Sequence, residues 1–398
     1  MSTHATPTSK KSFFPQFVKT LVLTGAISLI LRFFIEELVH GKNIFIASFG
    51  ITVTIAFGVY TILKIAEIIE ETTAVLKNKT GLAGGLLQSF GTAFPDMVIG
   101  IMAAFLSLQE SDPAKKISLA IIAASATFGS NLYNVAHAAW CVGRQNRANH
   151  LGKPIDMFFF FGGKVTPMAH HNVKPRIEEI DNANALVVSL SVLTFVVVAS
   201  MVLFGQTTSE IFPGDLYQLT PLAGAFVLLA AVGTIYLFRK NTSEDVEEDE
   251  ENEFTTQSMF VILGSLVASG IIILMTAESM VNSIQVFSEI THVPEFIAGV
   301  AAGLIGCLGE MVVVHNFTVN PKGRLGDAIV GVGMDNIITV IGASIVALMG
   351  GIFLGSGPLI IIFAGILSLN SVLIWQNATL KNEYTVEKVE KEAEKENN

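Results

Sequence analysis

Long apolar runs limit what this chain can become more than any other feature. Residues 17–36, 44–76, 82–108, 115–140, 186–205, 217–238, 257–290, 295–317, 325–349 and 356–377 are each apolar over about 20 residues or more, the length a helix needs to cross a hydrocarbon layer. In that layer a backbone N–H or C=O has no water to bond, so a spanning segment must satisfy its own hydrogen bonds. The sequence therefore predicts an all-α membrane protein of about ten transmembrane helices. Composition agrees: 51% of the 398 residues are hydrophobic, only 15% are charged, and the mean hydropathy is +0.59, too little charge to clothe a soluble protein of this size. The first run is too long for a signal-peptide core and is followed by no small-residue cleavage site, so it reads as a retained helix. Cys141 and Cys307 are too few for a disulfide framework and lack metal-ligand spacing.

Lys and Arg positions test the topology independently. With the N-terminus in the cytoplasm and ten alternating helices, 18 of the 24 Lys and Arg fall in cytoplasmic segments, Lys19, Arg32 and Lys64 fall within spans, and only Lys42, Lys115 and Lys116 fall outside. That asymmetry is what the positive-inside rule requires. It predicts an integral protein of the cell membrane with both termini cytoplasmic. The formal charge of −10 is concentrated in residues 244–253 and in the tail from Glu383 to Glu396, which read as solvated segments. The chain divides into a cytoplasmic segment (1–16), an extra helix and loop (17–43), a first half (44–238), an acidic linker (239–256), a second half (257–378) and a charged tail (379–398). The stretch from Cys141 to Ala185 reads as the one long loop, and its apolar run Phe158–Phe161 as a segment that can lie at the membrane interface.

The two halves repeat one another. Ala66-Glu67, Thr80-Gly81 and Gly91-Thr92-Ala93-Phe94-Pro95-Asp96 in the first correspond to Ala277-Glu278, Val293-Pro294 and Ile305-Gly306-Cys307-Leu308-Gly309-Glu310 in the second. Ala-Glu precedes the later acid by 29 residues in one half (96 − 67) and by 32 in the other (310 − 278). Each unit continues into a helix with a Gly and polar residues near its middle: Gly129-Ser130-Asn131-Leu132-Tyr133-Asn134, and Gly333-Met334-Asp335-Asn336. An offset of five helices between the units reverses their direction. Inverted repeats with Gly- or Pro-interrupted spans point to a transporter site near the membrane midplane.

Asp96, Glu310 and Asp335 each sit within an apolar span. An unpaired carboxylate at bilayer depth costs at least about 2.5–3.5 kcal/mol on insertion scales. Cations or protons relieve that cost, and hard cations prefer oxygen ligands. Asn131 and Asn134 can add neutral oxygens, and breaks at Gly91–Pro95 and Gly306–Gly309 can free backbone carbonyls. Each residue also has a plainer reading: Asp96 as a helix-end residue, Asn131 as a link between helices, and Asp335 as structural, with Asn336 facing inward instead. His137 and His315 read as packing residues, with His315 of interest for proton coupling because it lies just over one turn past Glu310.

These units resemble the alpha repeats of the cation/calcium exchanger superfamily, whose best-known members are sodium/calcium exchangers. The family pattern is a Gly-(Thr/Ser)-Ser-x-Pro-(Glu/Asp) break followed by Gly-Ser-Asn in the next helix. Gly91–Asp96 and Gly129-Ser130-Asn131 match it, as do the helices carrying Glu67 and Glu278. The matching units cover roughly residues 60–140 and 270–345. The resemblance implies that Asp96 and Glu310 are the central cation ligands, helped by Asn131 and Asp335. It also implies that Thr92 and its counterpart Gly306 give backbone oxygens to flanking sodium sites. Transported Ca2+ would exchange for Na+ or H+, with no tightly bound cofactor, through movement of the first two family helices across the rest. The partners implied are small inorganic cations and the lipid bilayer, and neither enzymatic activity nor nucleic-acid binding. The second unit departs from the pattern at Gly306-Cys307, where hydroxyl residues are usual, at Gly309, where the family has Pro, and at Met334-Asp335-Asn336. Ala93 also lacks the usual hydroxyl. Two competing readings are an intramembrane aspartyl enzyme, whose Gly-x-Gly-Asp motif Gly323–Asp327 loosely approaches, and a non-transporting, channel-like relative of the same fold.

Overall fold

The computed structural model describes residues 16–80, 84–158, 162–171, 177–208, 215–241, 253–320 and 325–396. The chain begins in α1 (Gln16–Ile30), which passes through a π-helical turn (Leu31–Ile35) into the short α2 (Glu36–Val39). Then follow α3 (Ile44–Thr80), α4 (Gly84–Gln109), α5 (Pro113–Leu151), α6 (Ile177–Phe204) and α7 (Pro221–Asn241). The second half holds α8 (Met259–Thr291), α9 (Glu295–Gly306), α10 (Leu308–Val319), α11 (Leu325–Met349) and α12 (Ser356–Glu396). Each of the ten apolar runs has a helical counterpart. Eight are single helices long and apolar enough to span a membrane, and α9 with α10, bent by 50°, makes a ninth. The 26-residue α4 answers to the run at 82–108. The protein is an all-α membrane protein.

Local chemistry sets the helix ends. Asp112 caps α5 by accepting from the Ala114 amide at 2.9 Å, Pro113 occupies the first helical position, and Gly152 ends the helix at φ +62°. Nothing before Gly152 stops α5, so it runs about three turns into the stretch expected to be loop. That stretch is otherwise occupied by a hairpin of β1 (Ile155–Phe158) and β2 (Gly162–Val165) and a 3-10 turn (Met168–His170), and α6 already starts at Ile177. Residues 159–161 of the apolar run lie outside the described residues. At another loop cluster β3 (Gln206–Thr207), β4 (Leu216–Gln218) and β5 (Phe353–Gly355) pair in that order, all antiparallel. These small sheets satisfy backbone groups between helices and were invisible in the hydropathy pattern.

Two further expectations meet the structure differently. Residues 1–15 of the N-terminal segment and 242–252 of the acidic linker lie outside the described residues, while Glu253 accepts from the Phe17 amide at 3.1 Å and Phe254 packs on Phe17 with ring centroids 4.4 Å apart. The tail is not a loop: α12 continues in helix to Glu396. Its Glu, Lys and Ala are strong helix formers, and Glu387 and Lys391 stand at the favourable i,i+4 spacing.

The core is built around α5 and α11, whose most apolar stretches are 83% and 78% buried, against 17% for the first span and 22% for α7. Side chains such as Phe33, Phe45, Phe226 and Phe260 are exposed on the rim, as hydrocarbon-facing residues are. In the interior α5 packs on α9, α4 on α11, and α3 on α8. Exchanging α3–α6 for α8–α12 maps these contacts onto one another: α5–α9 onto α11–α4, and α12–α5 onto α6–α11. The α5–α9 crossing is close because Gly299 and Gly303 present no side chain. A Cβ at Gly299 would stand 2.6 Å from Ser125 Cβ, and one at Gly303 would stand 2.7 Å from the Ser130 amide nitrogen. Gly129 meets Val300 from the other side, in the small-xxx-small manner of membrane helix pairs.

Gly303→Val is therefore expected to cost about 1–3 kcal/mol through overpacking, read as a lowered melting temperature in detergent. Gly264→Ala on α8, where a Cβ meets nothing within 4 Å, is expected to leave it unchanged. Equal effects from the two changes would contradict the tight crossing.

Candidate cation site

Four helices meet at the centre: α4 brings Asp96, α5 brings Asn131 and Asn134, α10 brings Glu310, and α11 brings Asp335 and Asn336. The two units solve the interruption differently. A break was expected at Gly91–Pro95, yet α4 runs unbroken through Pro95. Pro95 still has no N–H, so the carbonyl four residues earlier, at Gly91, loses its helical donor. The second break is realised as the bend between α9 and α10 at Cys307, whose amide still bonds the Gly303 carbonyl at 3.1 Å. The helix of the first unit survives because one missing donor costs less than opening a turn inside a packed bundle. The second parts where Gly306 and Gly309 weaken helix propensity on both sides.

All these polar residues are buried: Asp96 is 2% exposed, Asn131 1%, Glu310 3% and Asp335 4%. Asn134 donates to Glu310 Oε2 and lies 3.3 Å from Asn336 Oδ1, so one amide joins the two halves of the chain. Ser130 neighbours Asp96, but its hydroxyl donates to the Thr127 carbonyl at 2.9 Å. Both Asp96 oxygens, Glu310 Oε1, Asn131 Oδ1 and Asn134 Oδ1 are buried with no hydrogen-bond donor. Asp96, Asp335 and Glu310 interact electrostatically, as do Asp96 and Cys307. Gly306 is where Asp96 and α9 touch: a Cβ there would collide with Asp96 Oδ1 and lie 3.0 Å from Asp96 Cα.

The structure thus brings Asp96, Glu310, Asp335 and Gly306 to one interior region, with Asn131 buried on α5 one turn before Asn134. Thr92 lies in α4 one turn before Asp96, and its side chain is outside the described residues. Among the described residues no three His, Cys, Asp or Glu side chains close on a common point, so the acids do not form a ready-made metal cage. Asn336, read only as the alternative to Asp335, is fully buried beside it and takes part in the Asn134 network. Asn134 proves central as the link to Glu310, and its signal in the sequence was the second amide one turn after Asn131. The outer pair Glu67 and Glu278 does not behave alike: Glu67 pairs with Lys64 at 2.7 Å on the surface, whereas Glu278 receives Arg32 at 2.7 Å from the extra N-terminal helix.

The chain matches no family model and no curated protein. Solved structures do match it: the H+/Ca2+ exchanger CAX at TM-score 0.56 and 12% identity, over 93% of this chain and 96% of that one. Native YfkE follows at TM-score 0.55 and 14% identity, over 93% and 97%. A selenium-substituted form of the Ca2+/H+ antiporter YfkE gives 0.52 and 15%, again over 93% and 97%. This chain has the cation-exchanger fold. The likeness extends over 93% of the chain, although the sequence resemblance rests on under half of it.

Gly306 carries the sharpest structural consequence of this geometry. Gly306→Ala is expected to displace the Asp96 carboxylate and weaken any cation-induced rise in melting temperature, with less effect on the melting temperature without cation. The opposite pattern would mean that the close approach serves packing alone.

Proposed function

We propose that this chain is a secondary antiporter, not an enzyme, which exchanges a divalent cation, calcium first, for sodium or protons through Asp96 and Glu310. The observation that carries this reading is the pair itself. Two carboxylates occupy matching positions in the two repeats, are buried at membrane depth, and keep three of their four oxygens without a donor. A protein has no structural use for such oxygens, since each uncompensated charge opposes folding. A cation replaces the missing donors, and protons or sodium neutralise the acids when it leaves. Asn131 and Asp335 complete the oxygen set, with Thr92 and Gly306 lending backbone oxygens beside it.

The same reading takes the two units as inverted repeats that alternate in exposing the site. The pairwise exchange of contacts between α3–α6 and α8–α12 supports it. The positive-inside pattern supports a cell-membrane protein with both termini in the cytoplasm.

Glu310→Gln and Asp96→Asn preserve shape while removing buried charge, so both proteins are expected to fold, with melting temperatures equal to or above that of the unaltered chain. In proteoliposomes each is expected to lose cation uptake. Each should also lose the stabilisation that a saturating cation confers, about 2.7 kcal/mol at 100 times Kd. Stabilisation that persists in both variants would place the cation elsewhere. Uptake that needs no counter-ion gradient would sink antiport and leave a channel.

A further inference from the structure

Two buried histidines stand between the carboxylates and one end of the bundle, and the cation site does not use them. His137 follows Asn134 by one turn on α5, and His315 follows Glu310 by five residues on α10. At 1.5 Å per residue the axial steps from the Asn134–Glu310 contact are about 4.5 and 7.5 Å. Both steps lead the same way, because the C-terminal ends of α5 and α10 both meet the β1–β2 hairpin, where Gly163 lies against Val319. The two rings stack with centroids 6.2 Å apart and planes inclined by 29°.

Their other partners extend the line in both directions. His137 hydrogen-bonds the backbone of Met311, the residue directly after Glu310, and its Nε2 lies 3.6 Å from Cys141 Sγ. His315 hydrogen-bonds the backbone of Gly162 in β2. Among the described residues Cys141 touches His137, Cys307 and Glu310 lie on the bent span that carries His315, and Asp156 and Lys164 lie on the hairpin. Asp156 and Lys164 are exposed and 4.0 Å apart. Arg144 is held at the hairpin, where it donates to the Asp156 carbonyl. The two imidazoles therefore lie between the surface hairpin, whose Gly162 backbone His315 reaches, and Met311 beside Glu310, whose backbone His137 reaches, with the rings stacked between them.

We infer that the His137–His315 pair relays protons between the hairpin end of the bundle and Glu310, which makes the coupling ion a proton rather than sodium. This rests on the antiporter reading above and goes beyond it by naming the counter-ion and its route. Histidine is the side chain whose ordinary titration lies nearest physiological pH. A neutral imidazole gains a proton at one nitrogen and gives one up from the other. Each passage forms and breaks one N–H bond on each ring and ends with an O–H bond on the carboxylate that the cation vacates, water carrying the proton across the intervals.

The test uses the full chain in proteoliposomes, with Ca2+ uptake driven either by a pH gradient or by a sodium gradient. His137→Gln, His315→Gln and the double variant are compared with the unaltered protein from about pH 5 to 8. The unaltered protein is expected to follow the pH gradient. The double variant is expected to lose pH-driven uptake by about a hundredfold, the low side of what a positioned proton-transfer group contributes, and to flatten its pH profile. Its Ca2+-induced rise in melting temperature should remain, which separates a lost relay from a damaged site. Should a glutamine variant fold poorly, the corresponding asparagine variant carries the comparison. An unchanged rate and pH profile in the double variant overturns the relay, as does exchange driven by sodium alone, and both leave antiport standing. No Ca2+ stabilisation and no flux under any gradient in the unaltered protein removes the antiporter reading and the relay together.

Discussion

A carboxylate held away from water needs a partner, and the centre of this protein is arranged around that need. Asp96 and Glu310 are buried, and among the described residues Glu310 receives a hydrogen bond from Asn134 while Asp96 has Ser130 beside it. Lys64 and Arg32, both within apolar spans, already pair with glutamates nearer the rim. Lys64 and Arg32 thus neutralise outer acids, and neither reaches Asp96 or Glu310 at the centre. Depth sorts the acids into two classes: fixed ion pairs at the periphery, and buried carboxylates that interact with one another at the centre.

The two repeats reach this arrangement by unequal means. Pro95 deletes a single donor from a helix that stays whole, whereas the second unit bends by 50° at Cys307 between two glycines. The bend and the missing side chain at Gly306 let α9 approach Asp96, and Gly299 and Gly303 hold the same helix against α5. Small residues therefore do two tasks along one face: they bring backbones together, and they open space for a carboxylate. Gly306, Cys307 and Gly309, where the second unit differs from the first, fall at this same bend.

Much of this was legible in the sequence because hydrophobic length and charge placement are one-dimensional signals. Ten runs yielded the helices, and acids inside runs yielded Asp96, Glu310 and Asp335. What escaped depends on neighbours. The course of α5 through Arg144 and Arg147 is polar and reads as loop, but the helix is simply never interrupted before Gly152. The hairpin at Ile155–Val165 carries no alternating pattern long enough to recognise. The structural importance of Asn134 and Asn336 rests on a contact between residues 202 positions apart in the chain, which no local spacing encodes. The charged tail looked too polar to order, because helix propensity without an apolar face is a weak signal until a long preceding helix nucleates it.

That tail changes the outline of the molecule. The apolar run of α12 ends near Asn377, and the helix carries on for the 19 residues to Glu396 (396 − 377), which at 1.5 Å per residue is about 28 Å of further rod. A helix that leaves the bilayer without a break transmits tilt and rotation of its buried portion to its free end, as a mast shows the roll of a hull. Because α12 packs along α5, which carries Asn131, Asn134 and His137, a probe at the far end of this mast would follow reorientation of the interior from outside the membrane.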